Sequence, residues 1–171
     1  MLAILKKLLS PPQFANEEDS HQAYLLHVIL CGLVIVPIPY MLYFVIFVPQ
    51  DSLRVILQGV IGEVINISLF VLLRRGYIRF TSIAQVVAFW LFFTISAFTD
   101  YGVMGEAYLL GYPLVIVITG VLLGGTATLI VTTLSLLSGL GMLYAQSQGM
   151  IIPAVERSSV VTWILSFAIF P

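Results

Sequence analysis

The sequence predicts an all-α protein, a polytopic transmembrane helical bundle with five complete spans and a truncated sixth. Hydrophobic residues make up 60% of the 171 residues and charged residues only 9%, and the mean hydropathy is +1.10. Several runs reach the roughly 20 residues that cross a hydrocarbon core while carrying no charge or one. A soluble domain of this size would show a polar face on most helices. The predicted solvent is therefore a lipid bilayer.

Residues 1–20 are predicted to form a cytoplasmic or interfacial N-terminal segment, ahead of a transmembrane domain over residues 21–171. The apolar stretch at its start is short, is interrupted by Lys6 and Lys7, and leads into Pro11, Pro12 and three acidic residues. A cleaved signal peptide would have a longer apolar core and a small-residue cleavage site. Two alternatives remain open: a short helix lying on the anionic cytoplasmic leaflet, or an unstructured terminus.

The first two spans are separated by a predicted tight turn. The first runs from about Ala23 to Val48, and Pro37 and Pro39 in its second half are expected to kink it. The turn is placed at Pro49–Ser52, and the second span follows over about Leu53–Leu73. Arginines directly after the second span mark its end.

Three further complete spans follow, joined by short connections. The third covers about Phe80–Phe98, and a short polar loop leads to the fourth, about Ala107–Leu123. Gly124 and Gly125 then predict a very short turn. The fifth span covers about Thr126–Tyr144 and precedes the longest loop between spans.

Lysine and arginine residues in short loops set the expected orientation, because positive charges resist translocation. With the N-terminus inside, Arg54 and Arg157 lie outside, and five basic residues lie inside: Lys6, Lys7, Arg74, Arg75 and Arg79. The N-terminus is therefore predicted to be cytoplasmic.

The sixth predicted span begins near Val160 and supplies only about 12 residues before Pro171, where roughly 20 are needed. Its last carbonyl groups would be left unsatisfied in hydrocarbon. We therefore expect the chain to be the membrane portion of a longer protein. Six spans from an inside start would place its further part in the cytoplasm.

Glu63 is the costliest residue of the predicted bundle, because it lies near the centre of the second span. It is expected to face the bundle interior, protonated or hydrogen-bonded, with Asn66 one turn along on the same face. Two interpretations stay open: a role in proton, ion or ligand sensing, or a structural hydrogen bond between helices. His27, Gln58 and Gln85 are further polar candidates at membrane depth, and a structural role is favoured for each.

Two pairs of small residues have the spacing that lets membrane helices approach closely. They are Gly120 with Gly124 in the fourth span, and Ser135 with Gly139 in the fifth. Packing within the chain is the favoured interpretation, and a dimer contact is the alternative.

Several function classes find no support. His21, His27 and Cys31 are too few to build a metal or heme site, so neither a metal nor a cofactor is expected. The net charge is −1 and no basic groove is apparent, which argues against nucleic-acid binding. The absence of a Ser-His-Asp order, a phosphate-binding loop and paired carboxylates argues against an enzyme within these residues.

The order of sequence features resembles the N-terminal multi-helix membrane region of bacterial sensor histidine kinases and related membrane-anchored signalling proteins such as diguanylate cyclases. The segments that carry this resemblance cover nearly the whole chain: Leu9–Phe14 with the acidic Glu17–Asp19, Leu73–Arg79, Leu109–Tyr112, Leu122–Gly125 and Leu134–Gly141.

The resemblance implies a multi-pass sensor and anchor region in the bacterial cytoplasmic (inner) membrane, with its N-terminus inside. It also implies a homodimer, formed through the membrane helices and a cytoplasmic linker, and a cytoplasmic output module such as a kinase or a cyclase. Two alternatives remain open. One is a small transporter or channel subunit, for which Glu63 and Asn66 would be pore or coupling residues. The other is an accessory subunit of a larger membrane complex.

Overall fold

Apolar helices dominate the part of the chain that the computed structural model describes, which comprises residues 17–47, 49–99 and 102–150. No β-strand occurs within these ranges, so the all-α class is confirmed for them. The α-helices, with one 3-10 turn at Gly102–Met104, are α1 Glu17–Ile35, α2 Pro37–Phe47, α3 Pro49–Arg74, α4 Ile78–Thr99, α5 Glu106–Leu109, α6 Gly111–Leu123 and α7 Gly125–Ser147.

Four helical segments are long and apolar enough to cross a membrane: Ser20–Phe47, Val55–Arg74, Ile78–Thr99 and Gly125–Ser147. A shorter apolar helical segment covers Ala107–Leu123. Large apolar side chains such as Phe47, Leu129 and Leu137 are exposed on these helices, which suits lipid rather than water. The protein is therefore membrane-embedded and polytopic. The predicted sixth span, Lys6 and Lys7 lie outside the described residues.

The first apolar segment is interrupted where the prolines predicted a kink. Helix α1 ends at Ile35, a turn follows at Val36, and α2 begins at Pro37. The Val36 amide still donates to the Gly32 carbonyl at 2.9 Å. Proline has no amide N–H, so the regular hydrogen-bond pattern cannot continue through residue 37. We refer to this interruption as the α1–α2 break.

One predicted boundary differs from the structure. Pro49 begins α3 instead of a tight turn, because proline at a first helical position loses no hydrogen bond that the helix would otherwise make. The predicted fourth span, about Ala107–Leu123, has the bounds of the shorter apolar segment. It is interrupted at Leu110, between α5 and α6, and is shorter than the roughly 20 residues that span a typical bilayer.

The predicted turn between the fourth and fifth spans is confirmed and is even tighter than expected. Gly124 alone separates α6 from α7, with a φ of 80°. A Cβ atom makes this left-handed region sterically unfavourable, and glycine, which has no Cβ, enters it readily. Gly76, with a φ of 89°, has the same role after α3.

The chain divides into two compact units, residues 1–85 and residues 86–171. Within the first unit, α3 packs against both α1 and α2. Within the second unit, α6 packs against α7.

Candidate functional site

One face of α3 brings the intramembrane polar residues of the first unit together. Gly59, Glu63 and Asn66 follow one another at helical spacing, so they share this face. A Cβ added at Gly59 would overlap the Met41 Sδ of α2. The Asn66 Nδ2 donates to the Leu33 carbonyl oxygen of α1 at 3.4 Å. The face therefore packs against α2 at one end and α1 at the other.

Glu63 lies between these two contacts along α3, at the same level as the α1–α2 break. From Gly59 to Asn66 the residue numbers rise along α3, whereas the contacted residues fall from Met41 to Leu33, so the packed helices run antiparallel. In this register Glu63 is level with Val36. The Glu63 side chain is half-buried. Its Oε1 is buried and has no hydrogen-bond partner among the described residues.

The α1–α2 break presents backbone oxygens at the same level. In a regular helix the carbonyls of Leu33 and Ile35 would accept from the amides four residues on. Those residues are Pro37 and Pro39, which have no N–H to donate. Asn66 supplies a replacement donor to the Leu33 carbonyl.

The Asn66 amide is only half satisfied by that contact. Asn66 is 4% exposed, and its Oδ1 has no hydrogen-bond partner within the described part of the chain. A buried polar atom without a partner costs free energy, more so in a membrane where water cannot replace the partner. The region around the α1–α2 break therefore has more acceptors than donors. We call Glu63, Asn66 and the Leu33 carbonyl the oxygen cluster.

No basic residue lies near Glu63 along the chain. It is the only Asp, Glu, Lys or Arg between Arg54 and Arg74, and none lies between Ser20 and Phe47. At about 1.5 Å of rise per residue, Arg54 and Arg74 are about 14 Å and about 17 Å away along the helix axis. An ionised carboxylate at this depth needs a partner or a proton, and neither arginine of α3 lies close to Glu63 along the helix.

His27 belongs to a separate contact nearer the end of α3. It is 3% exposed, its ring centroid lies 5.3 Å from that of Phe70, and its Nε2 lies 3.6 Å from the Cys31 Sγ. The guanidinium carbon of Arg74 lies 5.0 Å from the Phe70 ring centroid, in cation–π range. Within the described residues no group of three or more His, Cys, Asp or Glu side chains could hold a metal.

The remaining polar candidates are not brought into the oxygen cluster. Gln58 is half-buried on α3. Gln85 is fully buried on α4, and neither polar atom of its side-chain amide has a hydrogen-bond partner among the residues described. Arg75 and Arg79, which the sequence placed in a cytoplasmic loop, are exposed on either side of the α3–α4 connection. Arg74 is half-buried.

The second unit contains a hydrogen-bonded network between α4, α6 and α7. The Trp90 indole N–H donates to the Ser135 Oγ at 3.2 Å, and the Thr94 and Tyr112 hydroxyl oxygens lie 2.8 Å apart. The Trp90 and Tyr112 rings meet edge to face with centroids 6.5 Å apart. Sequence reasoning missed this network, although a tryptophan in mid-span, away from the interface that it prefers, was an available signal.

The two predicted small-residue pairs have different surroundings. Ser135 and Gly139 are buried, and a Cβ at Gly139 would overlap the Tyr108 hydroxyl. Gly120 is exposed, and a Cβ there would lie 3.3 Å from the Thr128 Oγ1. Gly124 occupies the turn, and a Cβ there would meet no other atom within 4 Å. Among the glycines of these two pairs, Gly139 is the one at which a Cβ would overlap a neighbouring side chain.

Comparison with protein-family models, with curated proteins and with solved structures finds no match to this chain. The functional proposals therefore rest on the residues themselves. The oxygen cluster has one carboxylate, and its Glu63 Oε1 and Asn66 Oδ1 have no hydrogen-bond partner among the described residues. Such a set can bind a proton, a cation or a donor group of a ligand. It has no nucleophile paired with a base.

Proposed function

We propose that this chain is the membrane sensor and anchor region of a bacterial signal-transduction protein, similar to those of histidine kinases. A displacement of helices in the membrane would pass the signal to a cytoplasmic output module. The observation that supports this proposal is the α1–α2 break at the level of Glu63 and Asn66, whose Oε1 and Oδ1 are buried without a hydrogen-bond partner among the described residues. The segment resemblance given above supports it as well.

The Glu63 Oε1 and the Asn66 Oδ1, which have no hydrogen-bond partner among the described residues, favour a change in how α3 packs against α1 and α2. A buried polar atom without a partner raises the free energy of the arrangement that buries it. A stimulus that satisfies Glu63 or Asn66 in one arrangement only would favour that arrangement by its difference in affinity. The interrupted helix offers a hinge for such a shift, because Pro37 and Pro39 can donate no backbone hydrogen bond across the α1–α2 break.

The proposal includes an orientation and an assembly. The N-terminus lies in the cytoplasm of a bacterium, the helices cross its inner membrane, and two copies associate through membrane helices and a cytoplasmic linker. Exposed apolar faces on the described helices are suited to lipid and to such a second copy.

The test begins with the genomic reading frame that contains this sequence. We expect it to encode a cytoplasmic kinase or cyclase module in line with these helices. The protein encoded by that frame is then placed in proteoliposomes, and its output activity is compared between wild type, Glu63→Gln and Ser68→Ala. Ser68 is an exposed α3 residue whose hydroxyl donates to the Val64 carbonyl of its own helix at 2.7 Å, which makes it a matched control.

We expect Glu63→Gln to change the output and Ser68→Ala to leave it unchanged. A reading frame that encodes membrane helices alone would contradict the proposal. Equal output from wild type and Glu63→Gln would remove Glu63 from the signalling path.

A transporter or channel subunit is the second candidate, and one observation favours it specifically. Interrupted helices beside polar side chains form the substrate and ion sites of many secondary transporters, and the α1–α2 break beside Glu63 has this arrangement. Ion flux into liposomes that contain this chain alone, lost on Glu63→Gln and retained in Ser68→Ala, would favour transport over signalling.

A further inference from the structure

We propose that the oxygen cluster binds one monovalent cation, for which Na⁺ is the probe. The ligands are the Glu63 carboxylate, the Asn66 Oδ1 and the Leu33 carbonyl oxygen. This inference goes beyond the signalling proposal, because a cation site would serve a sensor or a transporter alike.

Hydrogen-bond accounting favours a cation over a proton. A proton on Glu63 provides one O–H donor, which can satisfy a single acceptor. The region of the α1–α2 break contains the Glu63 Oε1 and the Asn66 Oδ1, both buried without a partner among the described residues. The Leu33 carbonyl adds a third oxygen, which lacks its helical donor because residue 37 is a proline and which accepts from the Asn66 Nδ2 at 3.4 Å. A single cation can contact several oxygens at once.

Charge balance favours a monovalent cation. Glu63 is the only Asp, Glu, Lys or Arg between Arg54 and Arg74, so one positive charge makes the site neutral. A divalent cation would leave an unpaired positive charge at membrane depth, which is costly. Hard cations prefer carboxylate, carbonyl and amide oxygens, and the oxygen cluster consists of these groups alone.

The ends of α1 and α2 at the break also favour a cation over an anion. Helix α1 ends at the break, and a helix C-terminus carries a partial negative charge that favours cations. The N-terminal end of α2 would normally favour anions through its free amide N–H groups. Two of its first three residues, Pro37 and Pro39, have none. Unwound carbonyls and half-helix C-termini hold cations in this way in other membrane proteins.

The binding test uses the purified full chain in nanodiscs, in a mildly alkaline choline buffer, with radioactive sodium as the probe. We expect saturable binding that unlabelled sodium displaces. Glu63→Gln should abolish it, since it removes the only charge. Asn66→Leu removes one ligand oxygen and should weaken binding about tenfold or more. Ser68→Ala on the same helix should bind like wild type, and size-exclusion elution with helical circular dichroism confirms folding of each variant.

Pro37→Ala separates a cation site from a purely structural role. This change returns an N–H to the position that donates to the Leu33 carbonyl and leaves every side-chain oxygen in place. We expect it to increase helix continuity and to weaken sodium binding. A structural role alone predicts a more stable protein with no effect on sodium.

Two results would overturn the inference: folded wild type without saturable sodium binding, or binding that Glu63→Gln retains. Preference for a divalent cation would also overturn it. No output module takes part in this assay. A lack of sodium binding would therefore not contradict the signalling proposal. The absence of an output module would not contradict the sodium-binding result.

Discussion

Gly139→Ala tests how tightly the second unit packs, with Gly141→Ala as a matched control. Both glycines lie in α7. A Cβ at Gly139 would overlap the Tyr108 hydroxyl, whereas a Cβ at Gly141 would meet no other atom within 4 Å. Tyr108 has little freedom to move aside, because its ring lies 4.7 Å from the Tyr112 ring and packs against the buried cluster that contains Met142.

The expected magnitude follows from two opposing terms. Replacing glycine by alanine in a helix stabilises it by roughly 1 kcal/mol, and this term is common to both variants. Overpacking at Gly139 costs about 1–3 kcal/mol. Gly141→Ala should therefore raise the free energy of unfolding slightly. Gly139→Ala should fall below it by about 1–3 kcal/mol, which is the overpacking term.

Reversible unfolding in mixed micelles, followed by circular dichroism, measures both variants against wild type. Unfolding free energies that rise equally in Gly139→Ala and Gly141→Ala would refute the close approach of α7 to Tyr108. A Gly139→Leu variant places a larger side chain against Tyr108. We therefore expect a smaller folded fraction for it than for wild type.

Two further predictions concern the same fold. A double-mutant cycle of Trp90→Phe and Ser135→Ala should give a coupling free energy of about 0.6 kcal/mol and at most about 1.7 kcal/mol, the range for hydrogen bonds between membrane helices. Additive effects of the two changes in the same unfolding assay would contradict the Trp90–Ser135 hydrogen bond. Reporter fusions should place Gly76 in the cytoplasm and Gly149 on the outer side, as the basic-residue distribution predicts; the opposite pattern would reverse the proposed orientation.

Hydropathy was sufficient to predict the membrane class and most helices. A bilayer requires long runs of apolar residues, and that requirement leaves a strong pattern in a single sequence. The α1–α2 break was also predictable, because Pro37 removes a backbone donor whatever the surroundings are. Pro49 was misleading, because the same residue also suits the first position of a helix.

Contacts between helices were less predictable. Glu63 and Asn66 were recognisable from the cost of polar groups at membrane depth. Their position opposite the α1–α2 break depends on the register between α3 and its neighbours, which the Gly59–Met41 and Asn66–Leu33 contacts define. The sequence pattern of one helix carries no information on that register.

Infrared difference spectroscopy of the reconstituted chain tests most directly whether Glu63 binds a cation at the α1–α2 break. Choline is exchanged for sodium at constant ionic strength, and the carboxyl bands are compared. We predict that sodium removes a protonated-carboxyl band and adds a carboxylate band in wild type and in Ser68→Ala, and that Glu63→Gln shows neither change. A spectrum without a carboxyl difference in folded wild type, or the same difference in Glu63→Gln, would contradict a cation site at Glu63.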